Sequence, residues 1–215
     1  MISKASLSAR APEDRPANTR FARLAQSLNG DGRYGVALLA CLLLFSALSA
    51  GGTRWLERLR YERAGLQMGQ YWRLLSAHFV HLDAHHLALN LSGFILLWTM
   101  FARDFRARDW LVIVLATLAT IDAGLWFVSP RVLWYAGASG LLHGIWGAGA
   151  CANWRRAPPY GALLSIALAG KLAYEQLVGP NPLDLGLPVV TIAHIYGAVG
   201  GTLAALIFVR APRRL

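Results

Sequence analysis

Residues 135–144 read YAGASGLLHG. A single serine, Ser139, stands between Gly137 and Gly140 at the lip of an apolar run, and His143 follows four residues later. Glycines on both sides permit backbone angles and close approaches that a Cβ would block, so the chain is expected to turn sharply here into a helix. A helix start presents unpaired N–H groups and a partial positive charge. A capping serine fits this pattern as well as a nucleophile does. The choice depends on what other parts of the chain bring to the same depth.

The surroundings are those of a membrane. The 215 residues are 56% hydrophobic and only 15% charged, too few charges to cover a water-soluble domain of this length. Stretches near the ~20 residues that cross a bilayer predict six spans at 34–50, 85–102, 110–128, 140–153, 161–178 and 190–209. The fold class is therefore an all-α membrane protein, a six-helix bundle over residues 34–209. The fourth span is short, as suits a helix beginning below the surface and shielded by protein. Residues 1–33 are predicted to be a disordered basic tail, and 210–215 a short basic tail.

With the amino end in the cytoplasm, fourteen lysines and arginines fall on inner segments and six on outer ones, while Lys171 lies within a span. This bias places both termini in the cytoplasm. The net charge of +10 then reads as topology and contact with anionic headgroups; nucleic acid is excluded as a partner, because no basic patch is interleaved with exposed aromatics. Cys41 and Cys151 fall within spans and read as packing thiols. Residues 51–84, rich in tryptophan, tyrosine, leucine and arginine, suit a structured segment in the membrane interface.

All six histidines, at 78, 81, 85, 86, 143 and 194, lie on the outer side or in the outer half of the spans. His86 and Asn90 share one helix face. They can serve as interhelical hydrogen bonds or as two donors aimed at one oxyanion. In the sixth span, His194 is followed by Gly197 and Gly201, a Gly-x-x-x-Gly spacing that lets two membrane helices approach closely. If that span packs on the glycines of the fourth, His194 comes within reach of Ser139. The pair then forms a serine–histidine dyad, with His86, Asn90 and the Ser139 N–H around the tetrahedral oxyanion. No acidic residue is expected in position to orient His194.

These residues resemble the rhomboid intramembrane serine proteases. The resemblance runs over about residues 55–209 and rests on WR at 72–73, HLDAHHLALN at 81–90, GASG at 137–140 and AHIYGAVGG at 193–201. It implies a six-helix bundle, Ser139 and His194 as the dyad, His86 and Asn90 as oxyanion donors, and a wet cavity open to the outside. Length and detail are most similar to the bacterial rhombosortase branch. That likeness implies a bacterial inner-membrane location and membrane-anchored protein substrates with a C-terminal Gly-Gly motif, an apolar helix and a basic tail. Many rhomboids carry a tyrosine four residues after the serine, beneath the catalytic histidine; here His143 stands there, either in that role or as a packing residue.

Other signals are weaker. His78, His81, His85 and His86 lack the spacing of a zinc motif, so neither metal nor cofactor is expected. Lys171 and Glu175 read as an ion pair within one helix, and Asp122 as a locally bonded group. The loop GPNPLDLGLP at 179–188 suits a cap over the cavity. The competing functional reading is a non-catalytic rhomboid-like protein that binds transmembrane helices. A proton-relay transporter would need more intramembrane charges than these.

Overall fold

A computed structural model describes residues 20–180 and 182–207. The expected tails at 1–19 and 210–215 lie outside the described residues. The helices are α1 (Arg20–Ser27), α2 (Gly32–Ser49), α3 (Gly52–Leu59), α4 (Arg63–Gln67), α5 (Arg73–Ser76), α6 (Ala84–Phe101), α7 (Ala107–Ala123), α8 (Ser139–Arg156), α9 (Pro158–Leu177) and α10 (Ile192–Ile207). Two short strands, β1 (Tyr61–Glu62) and β2 (Trp134–Tyr135), pair antiparallel, with Tyr61 opposite Tyr135. The six longest helices coincide with the six expected spans. Among the described residues, three segments are long and apolar enough to cross a membrane: Gly32–Ser49, Ala84–Phe101, and Ala107–Val128, in which a π-helical turn extends α7.

α8 falls outside that set because it is the central helix. From Gly140 to Asn153 every residue except Trp146 is buried. A helix enclosed by protein does not need an apolar surface toward lipid, and small residues let its neighbours close in. A Cβ on Gly197 would lie 2.0 Å from the Gly140 carbonyl oxygen, and one on Gly201 would lie 2.0 Å from that of Gly144. The α8–α10 seam is thus backbone against backbone, as the Gly-x-x-x-Gly spacing predicts.

Residues 20–33 differ from the expected disordered tail. α1 forms there, and the turn after it is anchored to the end of α6. Asn29 adopts a left-handed conformation, with φ of 54°. Its side-chain amide donates to the carbonyls of Trp98 and Thr99, at 3.2 and 2.7 Å. The Trp98 carbonyl also accepts from the Ala102 N–H at 3.0 Å, so the asparagine amide adds a second donor there and ties the turn to the last turn of α6 while tolerating that backbone.

The segment between α2 and α6 is structured, as expected, and buried Arg73 organises it. Its guanidinium donates to the carbonyls of Glu57 and Arg60 at 2.9 and 2.8 Å and to Gln70 at 2.6 Å. The segment then reaches the serine loop: the Gly137 N–H donates to the Ala77 carbonyl at 2.9 Å. With the β1–β2 pairing, this bond fixes the chain just before Ser139.

Candidate active site

Ser139 is the first residue of α8. Gly137, with φ of +118°, makes the turn into it, and a Cβ there would meet the His86 ring at 2.6 Å. The Tyr135 hydroxyl, buried against the His78 ring, donates to the Gly137 carbonyl at 2.6 Å. The turn is held from both sides, so the hydroxyl of half-buried Ser139 has a defined position.

The glycine seam carries His194 to it. His194 Nε2 lies 2.8 Å from Ser139 Oγ. On the other side of the ring, Nδ1 lies 2.7 Å from Glu175 Oε2. A carboxylate can only accept, so the proton sits on Nδ1 and Nε2 presents its lone pair to the serine hydroxyl. The expectation that no acidic residue lies in position to orient His194 is therefore corrected: Glu175 does. Its other oxygen, Oε1, accepts from the Lys171 ammonium, so the expected ion pair is present and is half of a longer chain.

A signal for Glu175 was available. It lies two residues before the end of α9, and His194 two residues after the start of α10. Two antiparallel helices joined by one loop put such positions at the same depth. An ionisable residue inside a span is also a functional candidate by default.

His143 stacks on His194, with ring centroids 4.1 Å apart and planes 9° from parallel. Its Nδ1–H donates to the Ser139 carbonyl at 2.7 Å. His86 and Asn90 line the same cavity, of about 320 Å³, as Ser139 and His194. The Leu82 N–H donates to His86 Nδ1 at 3.3 Å, which leaves the proton on Nε2. Asp83 caps α6 by accepting from the His86 N–H at 2.8 Å. The Asn90 amide donates one hydrogen to the His86 carbonyl at 2.9 Å and keeps its second. Gly197 and Gly201 act one step away, as the surfaces that bring α10 onto α8.

The other histidines diverge rather than converge. His78 pairs with Asp122 at 3.3 Å, His81 with the Ser49 hydroxyl at 3.0 Å, and His85 with the Leu183 carbonyl at 2.7 Å. This last bond ties the 179–188 loop, the expected cap, to the start of α6. Burial, reinforced by neighbouring His86, pushes the His81 imidazole down from near 6.5 to about 3.

One trio among the described residues, His143, Glu175 and His194, brings metal-type ligand atoms within 4.8 Å of one another. It does not fit an ion. Imidazole binds a metal in the plane of its ring at ~2 Å, and two nearly parallel stacked rings share no such point.

The chain belongs to the rhomboid family: residues 68–211 match the Rhomboid domain. It is 28% identical over 186 residues to the rhomboid protease GluP of Bacillus subtilis (strain 168), an alignment covering 80% of this chain and 34% of GluP. The chain thus spans about a third of that relative's length. It is also 24% identical over 180 residues to YdcA of the same organism, a candidate rhomboid protease, covering 83% of this chain and 88% of YdcA. Family and apolar helices together make this an integral membrane protein.

Proposed function

We propose that the chain is an intramembrane serine endopeptidase with Ser139 as nucleophile and His194 as general base. The observation that carries this reading is the 2.8 Å contact between Ser139 Oγ and His194 Nε2, on the wall of a cavity that His86 and Asn90 also line. In this reading all six long helices span the bilayer, both termini are cytoplasmic, and the membrane is the bacterial inner membrane.

Ser139 Oγ attacks the scissile carbonyl carbon as its proton passes to His194 Nε2, and the carbonyl π pair becomes the oxyanion. The His86 Nε2–H, the second Asn90 amide hydrogen and the Ser139 backbone N–H are the donors for that oxyanion. On collapse the C–N bond breaks, and the His194 proton goes to the leaving amine. Water then attacks the acyl-enzyme and gives its proton to His194; the C–O bond to Ser139 breaks, His194 returns that proton to Ser139 Oγ, and the new carboxyl end is released.

The substrates are membrane-anchored proteins, whose helix must unwind to expose a carbonyl. A Gly-Gly segment beside an apolar anchor unwinds easily, because glycine disfavours helix by about 1 kcal/mol per residue relative to alanine. That ease and the GASG and LHG residues around Ser139 support the rhombosortase-like substrate class.

A fluorophosphonate probe on the detergent-solubilised chain tests the reaction. Labelling that disappears in both Ser139→Ala and His194→Ala is the expected result. A folded parent that takes no label, or labelling that persists in both variants, overturns it. In liposomes, a reporter anchored through Gly-Gly, an apolar helix and a basic tail should be cleaved. Equal cleavage of a version carrying Leu-Leu would remove the substrate assignment alone.

A further inference from the structure

The Glu175 carboxylate is almost wholly enclosed, with its side chain 1% exposed, whereas Lys171 is 30% exposed. A carboxylate kept only to balance a lysine could follow that ammonium outward, where water lowers the cost of both charges. Glu175 instead stays inside and divides its oxygens, Oε1 to Lys171 and Oε2 to His194 Nδ1. Resting on the reading of Ser139 and His194 as nucleophile and base, we propose that Glu175 is the orienting acid of a Ser139–His194–Glu175 triad and that Lys171 holds it in place.

The neighbours of His194 make such a residue necessary. When Ser139 attacks, the imidazole becomes an imidazolium. The ring stacked on it at 4.1 Å is another imidazole, His143, whose Nδ1 proton is committed to the Ser139 carbonyl. Lys171 brings a further positive charge to the same cavity wall. In a site of low polarity a new cation between these groups is unfavourable without an anion in contact. Glu175 Oε2 is that anion, 2.7 Å from Nδ1.

It also does geometric work. His143 holds the flat face of the His194 ring, but a face contact leaves rotation within the plane unrestrained. The Nδ1–carboxylate bond stops that rotation and selects the tautomer in which Nε2 accepts from Ser139. Glu175 acts through His194 and does not meet the substrate, so it is a positioning residue.

The test uses the full chain and a fluorescent fluorophosphonate, following the maximal labelling rate and the half-saturating probe concentration separately. The Ser139 hydroxyl displaces fluoride at phosphorus, its proton stays on His194, and no natural substrate is needed. Glu175→Gln should lower the maximal rate far more than it changes half-saturation, by up to about 10⁴-fold, the loss seen when a triad acid is neutralised. Glu175→Asp, which restores charge at a shorter reach, should recover part of that loss. Lys171→Met should cost less than about tenfold, the scale of a group that only positions the acid.

A merely structural ion pair predicts that Glu175→Gln and Lys171→Met fall together, in parallel with the melting temperature. That result overturns the proposal, as does parental labelling of Glu175→Gln. Should Glu175→Gln fail to fold because Lys171 is stranded, the double variant Lys171→Met/Glu175→Gln leaves no unpaired charge. The triad predicts the full loss in that variant, and a parental rate there overturns the proposal. An unlabelled parent rejects the hydrolase reading itself, an outcome distinct from an indifferent Glu175 in a labelled parent.

Discussion

Gly197 faces Gly140 across the α8–α10 seam with no room for a side chain: an added Cβ would stand 2.0 Å from the Gly140 carbonyl oxygen. Gly140 immediately follows Ser139, and Gly197 lies three positions after His194. The spacing of two backbones therefore sets the spacing of the two reactive groups.

Gly197→Ala is expected to push α10 off α8, costing about 1–3 kcal/mol as overpacking does. Because displacement of a reacting group by ~1 Å is worth on the order of 10²-fold in rate, fluorophosphonate labelling should fall further than stability alone explains. Gly170→Ala is the control. No atom lies within 4 Å of its added Cβ, and alanine in a helix interior gains up to about 1 kcal/mol. Thermal melts and labelling rates on the two variants check the contrast.

Gly137→Ala should act on catalysis although it removes no polar atom. Its φ of +118° is strained for alanine, and the new methyl would enter the His86 ring at 2.6 Å. In the proposed mechanism His86→Ala removes one oxyanion donor, a change worth roughly 10²–10³-fold in rate. The double variant should then lose less than the two single losses combined, because the ring clash is gone and only the strained backbone remains. Additive losses in a labelling assay would contradict this account.

His143→Ala should slow labelling by about tenfold, near the upper end of the 0.5–1.5 kcal/mol that an aromatic pair provides beyond buried area. His143→Phe keeps a ring beneath His194 and loses only the bond to the Ser139 carbonyl, so its deficit should be smaller. Equal rates in the two variants would show that the stack contributes nothing.

His81 predicts an acid-sensitive fold. Its pKa lies near 3 in the folded chain and near 6.5 when unfolded, so between those values the unfolded state binds more protons. Stability should be at its plateau above about pH 6.5 and decline as pH falls toward 3. His81→Phe, which cannot titrate, should flatten that decline in melting temperature between pH 7 and pH 4. An unchanged slope would assign the acid sensitivity to other groups.

Much of this was legible residue by residue. Runs of apolar side chains placed the six long helices within a few residues of their ends, because helix formation in a membrane is a local demand on each segment. The small residues of α8 and α10 announced a close seam, and Ser139, His194, His86 and Asn90, which line one cavity, could be named as candidates because each is a polar group without an obvious local use. The order of residues 20–33 was not legible, since Asn29 acquires its purpose only from the carbonyls at the end of α6. Four histidines within nine residues looked like one cluster, yet their partners lie on four different parts of the chain.

The amino-acid sequence by itself determined the medium, the helices and the candidates for chemistry, since hydropathy and glycine spacing act over a few turns of one segment. Only the tertiary structure decided who meets whom. Glu175 and Lys171 are one turn apart and satisfy each other in any isolated helix; the antiparallel return of α10 is what sets His194 against the carboxylate and lays it flat on His143. Those contacts depend on how far apart three helices settle, a distance that the close approach of backbones imposes and that no single segment specifies.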